Sequence, residues 1–223
     1  MYEDETHPAA TPESRRAHAR GGALTGEDLG RIISLSDGVF AFSLTLLVIS
    51  LVVPVYTGSA TRINSDLSSY LRSHWTVFLG YAFAFVMIAV WWTVHTRTFQ
   101  YLARFDRAVI WINFALLFQI AIMPFVLAVF DDYSDTQTAV VLFAGIQMTL
   151  GLTNTLLWDY ARRAKLVKDS LAPELAIYYS RRGYLTALVF AVSIGISFVS
   201  LSAAEIFWIA TFLVQWYADR RAR

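Results

Sequence analysis

Two ionisable side chains fall inside apolar stretches of the sequence, Asp37 and His95. Placing such a group in a bilayer costs about 2.5–3.5 kcal/mol even on the most lenient insertion scale, so each needs a structural or functional reason. A carboxylate and an imidazole can carry protons, and a proton-coupled transporter would use them so. They can equally satisfy one another and the nearby Arg31, and so pin helices together. We favour this second role.

The sequence lacks the residue patterns that metal binding or enzymatic catalysis would need. The chain has no cysteine and four histidines, and no His-x-x-x-His spacing that could hold zinc occurs among them. No two carboxylates share an apolar stretch, and no nucleophile stands beside a general base. The sequence therefore predicts neither an enzyme nor a bound metal or cofactor.

The composition indicates which solvent the chain folds in. Of its 223 residues, 57% are hydrophobic and 16% are charged, whereas a soluble domain has about 45–50% and about 25%. Such a chain cannot cover its own surface with polar groups in water. We therefore predict a lipid bilayer as its environment, and the net charge of +1 gives no indication of a nucleic-acid partner.

Six apolar segments follow a polar stretch, residues 1–30, which we predict to be a disordered cytoplasmic tail. The first segment has about 22 residues and would reach about 33 Å as a helix, enough to cross the hydrocarbon. Residues 31–223 would then form one all-α domain. The predicted transmembrane helices are residues 32–53, 75–96, 108–130, 138–158, 184–201 and 204–217.

The distribution of basic residues predicts the orientation of these six helices. The chain has 18 lysines and arginines, and all except Arg62 and Arg72 would lie on one side of the membrane. That side is cytoplasmic by the positive-inside rule. Six crossings also return the chain to the side where it began. The sequence thus predicts a polytopic protein with both termini in the cytoplasm.

The first apolar segment has two distinct faces at helical spacing. Ser36, Ser43 and Ser50 recur every seven residues and form a small polar stripe. This stripe could line a pore, or it could allow close helix packing, and periodicity alone does not choose between the two. The neighbouring apolar face has Thr45 at its edge and contains Leu35, Gly38, Phe42, Leu46, Ile49 and Val53.

Two blocks of sequence resemble those of a known family. Residues 31–49 read RIISLSDGVFAFSLTLLVI, which is similar to a first-helix signature Arg-x-x-x-Phe-Ser-Asp followed by Gly-Val-Phe-Ala and Thr-Leu-Leu-Val. Residues 92–99 read WTVHTRTF, which is similar to a Trp-x-x-His-x-x-x-Phe block. Both blocks belong to the transmembrane protein 175 family of endosomal and lysosomal potassium channels, in its bacterial single-repeat form. Further matches at familiar intervals are Asp106, Asn113 and the pair Pro124–Phe125.

The resemblance implies a potassium-selective cation channel in the bacterial inner membrane, with potassium as the permeant ion. A single six-helix repeat would assemble as a homotetramer around its first helices. Carried onto this chain, the hydrophobic constriction that acts as gate and selectivity element falls on Phe42, Leu46 and Ile49, and the pore threonine layer on Thr45. The resemblance thus favours the apolar face over the serine stripe. Two residues differ from the family pattern. Phe42 stands where the family usually has isoleucine or leucine, and Leu35 stands where the family signature has phenylalanine.

The resemblance also implies a role for the polar residues near the first helix. Together they would form a hydrogen-bonded brace that holds this helix at its angle. The alternative function remains a proton-coupled secondary transporter that uses Asp37 and His95, although the chain shows no inverted repeat of the kind transporters have. The predicted brace residues are Arg31, Ser36, Asp37, His95 and Asn113.

Overall fold

The computed structural model describes residues 26–211, and this part of the chain is all-α. A 3-10 turn, Leu47–Ser50, follows the first helix directly. The seven α-helices are α1 (Gly26–Leu46), α2 (Ala60–Ser73), α3 (Trp75–Gln100), α4 (Arg107–Tyr133), α5 (Gln137–Arg163), α6 (Pro173–Ser197) and α7 (Leu201–Phe207).

The predicted topology of six transmembrane helices is wrong. Within residues 26–211, four helical segments are long and apolar enough to cross a membrane, and Leu201–Thr211 is a shorter apolar helix. The cytoplasmic location of both termini was predicted together with the six crossings and is not shown, because residues 1–25 and 212–223 lie outside the described residues. The four candidate spans are Leu29–Ile49, Trp75–Gln100, Arg107–Tyr133 and Gln137–Arg163.

The fifth and sixth predicted segments fail for different reasons. Residues 184–201 lie mostly in α6, which has 25 residues but is not among the candidate spans. Its first half carries Glu174, Arg181 and Arg182, and such residues are expensive in hydrocarbon. The sixth segment begins in α7, and its residues 212–217 lie outside the described residues.

Helix α2 is an element that the hydropathy pattern did not indicate. It follows Ser59, whose side chain caps the helix by accepting a hydrogen bond from the backbone N–H of Arg62. None of its residues is buried. The predicted N-terminal tail also differs, because α1 begins at Gly26, while residues 1–25 lie outside the described part of the chain.

The four spans pack into one bundle in which α1 lies against α3 and α4, and α5 lies between α4 and α6. Burial of large apolar side chains without voids stabilises such packing in lipid, where dispersion contacts replace the hydrophobic effect. Phe40 anchors α1 in this core. The central apolar cluster also includes Ile88, Leu116, Ile120, Met123, Phe143 and Leu150.

A second apolar cluster closes one end of the bundle. Leu102, Phe105 and Leu157 are buried there beside Leu166 from the α5–α6 connection. An antiparallel backbone bridge pairs Leu102 with Val167. This end of the bundle is therefore held by packed loops, close to where the predicted polar residues lie.

Candidate functional site

Three of the predicted brace residues, Ser36, His95 and Asn113, meet in one buried chain of hydrogen bonds. The His95 Nε2–H donates to Asn113 Oδ1 at 2.8 Å, and Asn113 Nδ2 donates to Ser36 Oγ at 3.0 Å. Ser36 Oγ then donates to the backbone carbonyl of Ile32 at 2.9 Å. Because these residues come from α3, α4 and α1, the chain of bonds ties three helices together at one level.

The imidazole of His95 is further held by aromatic rings. It stacks on Phe99 with ring centroids 4.4 Å apart and lies at a tilt to Phe40, 5.4 Å away. The ring is almost fully buried. Stacking and hydrogen bonding together leave the side chain one orientation, which suits a structural brace.

Asp37 and Arg31 do not join this chain of bonds. Asp37 Oδ1 instead accepts a hydrogen bond of 2.8 Å from the Trp92 indole N–H, which makes a second link between α1 and α3. Arg31 is exposed. Among the described residues no hydrogen bond or ion pair joins Arg31 or His95 to Asp37. The sequence suggested that Arg31, Asp37 and His95 satisfy one another, and the described part of the chain shows no such direct bond among them.

The two neighbouring faces of α1 differ in burial. Ser36 and Ser43 are completely buried inside their own subunit, so neither side chain reaches the outer surface of the subunit. On the apolar face, Phe42 is 63% exposed and Ile49, in the adjoining 3-10 turn, is 72% exposed. Leu46 lies between them and is half-buried.

Thr45 shares this outward face. It is exposed, and its hydroxyl donates to the backbone carbonyl of Phe42 at 2.8 Å. The hydroxyl oxygen keeps lone pairs that can accept a further bond. Leu35, the residue that departs from the family's phenylalanine, is also exposed on α1.

The sequence did not identify the partners in several further polar contacts between helices. The Trp91 indole N–H donates to Gln147 Oε1 at 2.8 Å, and Tyr160 donates to Asp106 at 2.6 Å. Asp159, almost fully buried, accepts bonds from Ser180 and Tyr184. The only available signal was a polar residue within or beside an apolar segment, which does not identify its partner.

No cluster of three or more histidine or carboxylate side chains that could hold a metal ion occurs within residues 26–211. The described fold has four apolar spans, a buried polar link between three helices and an exposed apolar face on the first of them. Together these features define a multi-pass helical membrane protein.

Comparisons with known proteins identify the family. Residues 31–124 match the family described as endosomal/lysosomal potassium channel TMEM175. The chain is 34% identical to a potassium channel of Chamaesiphon minutus over 61% of this chain and 68% of that protein. It is 28% identical to a potassium channel of Streptomyces collinus over 77% of this chain and 83% of that one.

A solved structure agrees with the sequence matches. The crystal structure of a lysosomal potassium-selective channel TMEM175 homolog from Chamaesiphon minutus superposes with a TM-score of 0.69 at 25% identity. The match covers 86% of this chain and 99% of that one. The chain belongs to the TMEM175 family, and the resemblance seen in its sequence is confirmed. This is a family of ion channels and not of enzymes.

Proposed function

We propose that this chain forms a potassium-selective channel in a bacterial cell membrane, as a homotetramer with the α1 helices around a central axis. Potassium is the permeating ion, and no cofactor takes part. The names of the bacterial relatives support this proposal. Its main structural support is that α1 turns its apolar face out of the subunit while its serines are buried inside.

In this proposal Phe42, Leu46 and Ile49 form the constriction. The chain has no Thr-Val-Gly-Tyr-Gly loop, so carbonyl rings of that kind do not strip the ion of water. A ring of apolar side chains can instead gate by dewetting. Such a neck favours the ion that loses its water more easily, which is potassium rather than sodium.

Phe42 sets the width of this neck at its first level. Four phenylalanine rings are bulkier than the isoleucine or leucine that is usual at this position, so they would close the resting pore unless they rotate away. Leu46 and Ile49 would then define the open neck. Thr45 lies beside them and would offer a side-chain oxygen at that level to a partly hydrated ion.

The polar residues behind α1 would act as positioning residues. Ser36, Asn113 and His95 link α1 to α4 and α3, and Asp37 adds the link to Trp92. Rotation of α1 by one residue, about 100°, would break these bonds and move the apolar face off the axis. The brace would therefore keep the side chains of the constriction turned toward the pore axis. Arg31 makes no such contact in one subunit, and its part in the brace remains a prediction.

The ratio of potassium to sodium flux in liposomes tests the constriction. In Ile49→Asn we expect sodium flux to rise relative to potassium flux by about tenfold, because each amide can hydrogen-bond the hydrated ion in a neck that was apolar. The matched control is Ile206→Asn in α7, since Ile206 is exposed to a similar extent, 66%. We expect that control to keep the wild-type ratio.

Two results would show that the pore face is assigned wrongly. One is an unchanged ratio in Ile49→Asn protein that still assembles. The other is an equal shift in the Ile206→Asn control. A chemical cross-linking experiment that finds trimers or dimers instead of tetramers would separately refute the assembly.

A further inference from the structure

A cavity of about 410 Å³ lies between α3, α5 and α6, away from α1. Most of its wall is apolar and includes Phe83, Val90, Phe143 and Phe190. Phe83 and Val90 are also exposed on the surface of α3, so the cavity opens on the side of a membrane span. Its volume is in the range of small-molecule sites, and its walls suit a hydrocarbon chain.

One end of the cavity is positively charged. Arg97 and Arg182 line it there, beside the hydroxyls of Tyr101 and Tyr179. The described residues that line the cavity include no aspartate or glutamate. Arg97 lies in the last turn of α3, the level at which basic residues of a span meet lipid head groups. The charge at this end therefore favours an anion.

A residue with a buried and unpartnered hydrogen-bond donor also lines the cavity. Gln147 is completely buried and lines it. Its Oε1 accepts the bond from Trp91, but its Nε2 has no hydrogen-bond partner among the described residues. A buried amide N–H without an acceptor is costly, so an occupant that brings an oxygen acceptor to this point would be stabilised.

We propose that this cavity binds an anionic phospholipid. Its phosphate lies at Arg97, an ester carbonyl accepts from Gln147 Nε2, and an acyl chain fills the space along Phe83, Val90 and Phe143. Trp91, the partner of Gln147, is six residues before Arg97, which places the donor about 9 Å deeper along α3. The interfacial layer of a bilayer is about 5–8 Å thick, so the donor lies just beneath that layer, and the long side chain of Arg97 can follow the phosphate of a lipid whose ester carbonyl reaches the donor. The proposal is independent of the ion path along α1.

Lipid retention by the purified full-length protein tests this site. The delipidated protein is incubated with phosphatidylglycerol or with phosphatidylcholine of the same chains, and native mass spectrometry measures the bound lipid. We expect phosphatidylglycerol to bind about tenfold more tightly, and this preference to be lost in Arg97→Gln, because the charge-assisted bond is lost. The matched control is Arg181→Gln, since Arg181 is exposed on α6 and does not line the cavity.

Two further variants keep the test decisive if Arg97→Gln does not fold. Gln147→Glu keeps an acceptor for the Trp91 indole but removes the donor, and we expect it to weaken binding of phosphatidylglycerol. Val90→Trp narrows the mouth of the cavity from an exposed position and should weaken binding of both lipids.

Several outcomes would overturn the proposal. They are equal retention of the two lipids, an equal loss in Arg97→Gln and Arg181→Gln, and no loss in any of the cavity variants. Displacement of phosphatidylglycerol by an equal concentration of oleate would identify a free fatty acid as the occupant instead. Displacement by inorganic phosphate alone would reduce the site to an anion site without an acyl chain. Because none of these measurements uses ion flux, they can refute the lipid site without refuting the channel proposal.

Discussion

Replacement of Asn113 by leucine tests the link between the buried polar chain and the orientation of α1. Asn113 accepts from His95 and donates to Ser36, so one change removes both bonds between helices. Leucine has the branched outline of asparagine but is larger, so Asn113→Leu leaves no cavity and adds overpacking to the loss of the hydrogen bonds. A control that makes the same change of side chain at another asparagine is therefore needed to isolate the effect of the bonds.

The expected loss of stability can be worked out from these two bonds. Interhelical hydrogen bonds within membranes contribute about 0.6 kcal/mol on average and up to about 1.7 kcal/mol each. The variant also leaves the His95 Nε2–H buried without an acceptor, which costs about 1–3 kcal/mol. We expect the free energy of unfolding to fall by about 2–4 kcal/mol in total.

The assay is unfolding by sodium dodecyl sulfate in mixed micelles, followed by far-UV circular dichroism. The matched control is Asn154→Leu, since Asn154 accepts one long bond of 3.4 Å from Thr98 and is half-buried. It should lose much less stability. In liposomes, Asn113→Leu should also lower the preference for potassium over sodium, because α1 is then less firmly held.

Equal stability of Asn113→Leu and the wild type would refute the reasoning, since the bonds would then contribute nothing that packing does not supply. A large loss of stability with an unchanged ion preference would keep the bonds as a structural feature. It would, however, separate them from the position of the pore-lining face.

Two other substitutions probe the helix contacts. In Asp37→Asn the amide oxygen still accepts from the Trp92 indole, so potassium flux should stay near the wild-type level. The opposite result would be a flux that follows a pH gradient in the wild type and is lost in this variant. It would favour the proton-coupled transporter that uses Asp37 and His95. In Gly183→Ala the new Cβ would collide with Thr155 Oγ1 and should destabilise the protein by about 1–3 kcal/mol. Combination with Thr155→Ala should restore much of this loss, and a double-mutant cycle that shows simple additivity would contradict the contact.

The membrane spans and the family of this protein could be predicted from local sequence. Hydropathy located the four spans, and the blocks at residues 31–49 and 92–99 indicated the family. The resemblance to the family also implied a polar link through Ser36, His95 and Asn113. The spans and the two blocks depend on the types and spacing of residues close together in the chain, which a sequence displays directly.

Hydropathy was less reliable where apolar segments were interrupted. The six-helix count failed because α6 combines an apolar second half with a charged first half. Helix α2 was missed because it has only 14 residues and is polar on average, with its apolar side chains confined to one face and no residue buried. In both cases the length of the apolar segment did not predict the length or the presence of the helix.

The sequence by itself determined that α1 has one serine face and one apolar face, but both faces were compatible with a pore. Only the tertiary structure decided that Ser36 and Ser43 turn inward while Phe42 and Ile49 turn outward. The physical reason is that helical periodicity is local, whereas the choice of buried face depends on partners from α3 and α4. The same holds for Asp37, whose partner Trp92 is 55 residues away in the chain and was brought to it only by the packing of the bundle.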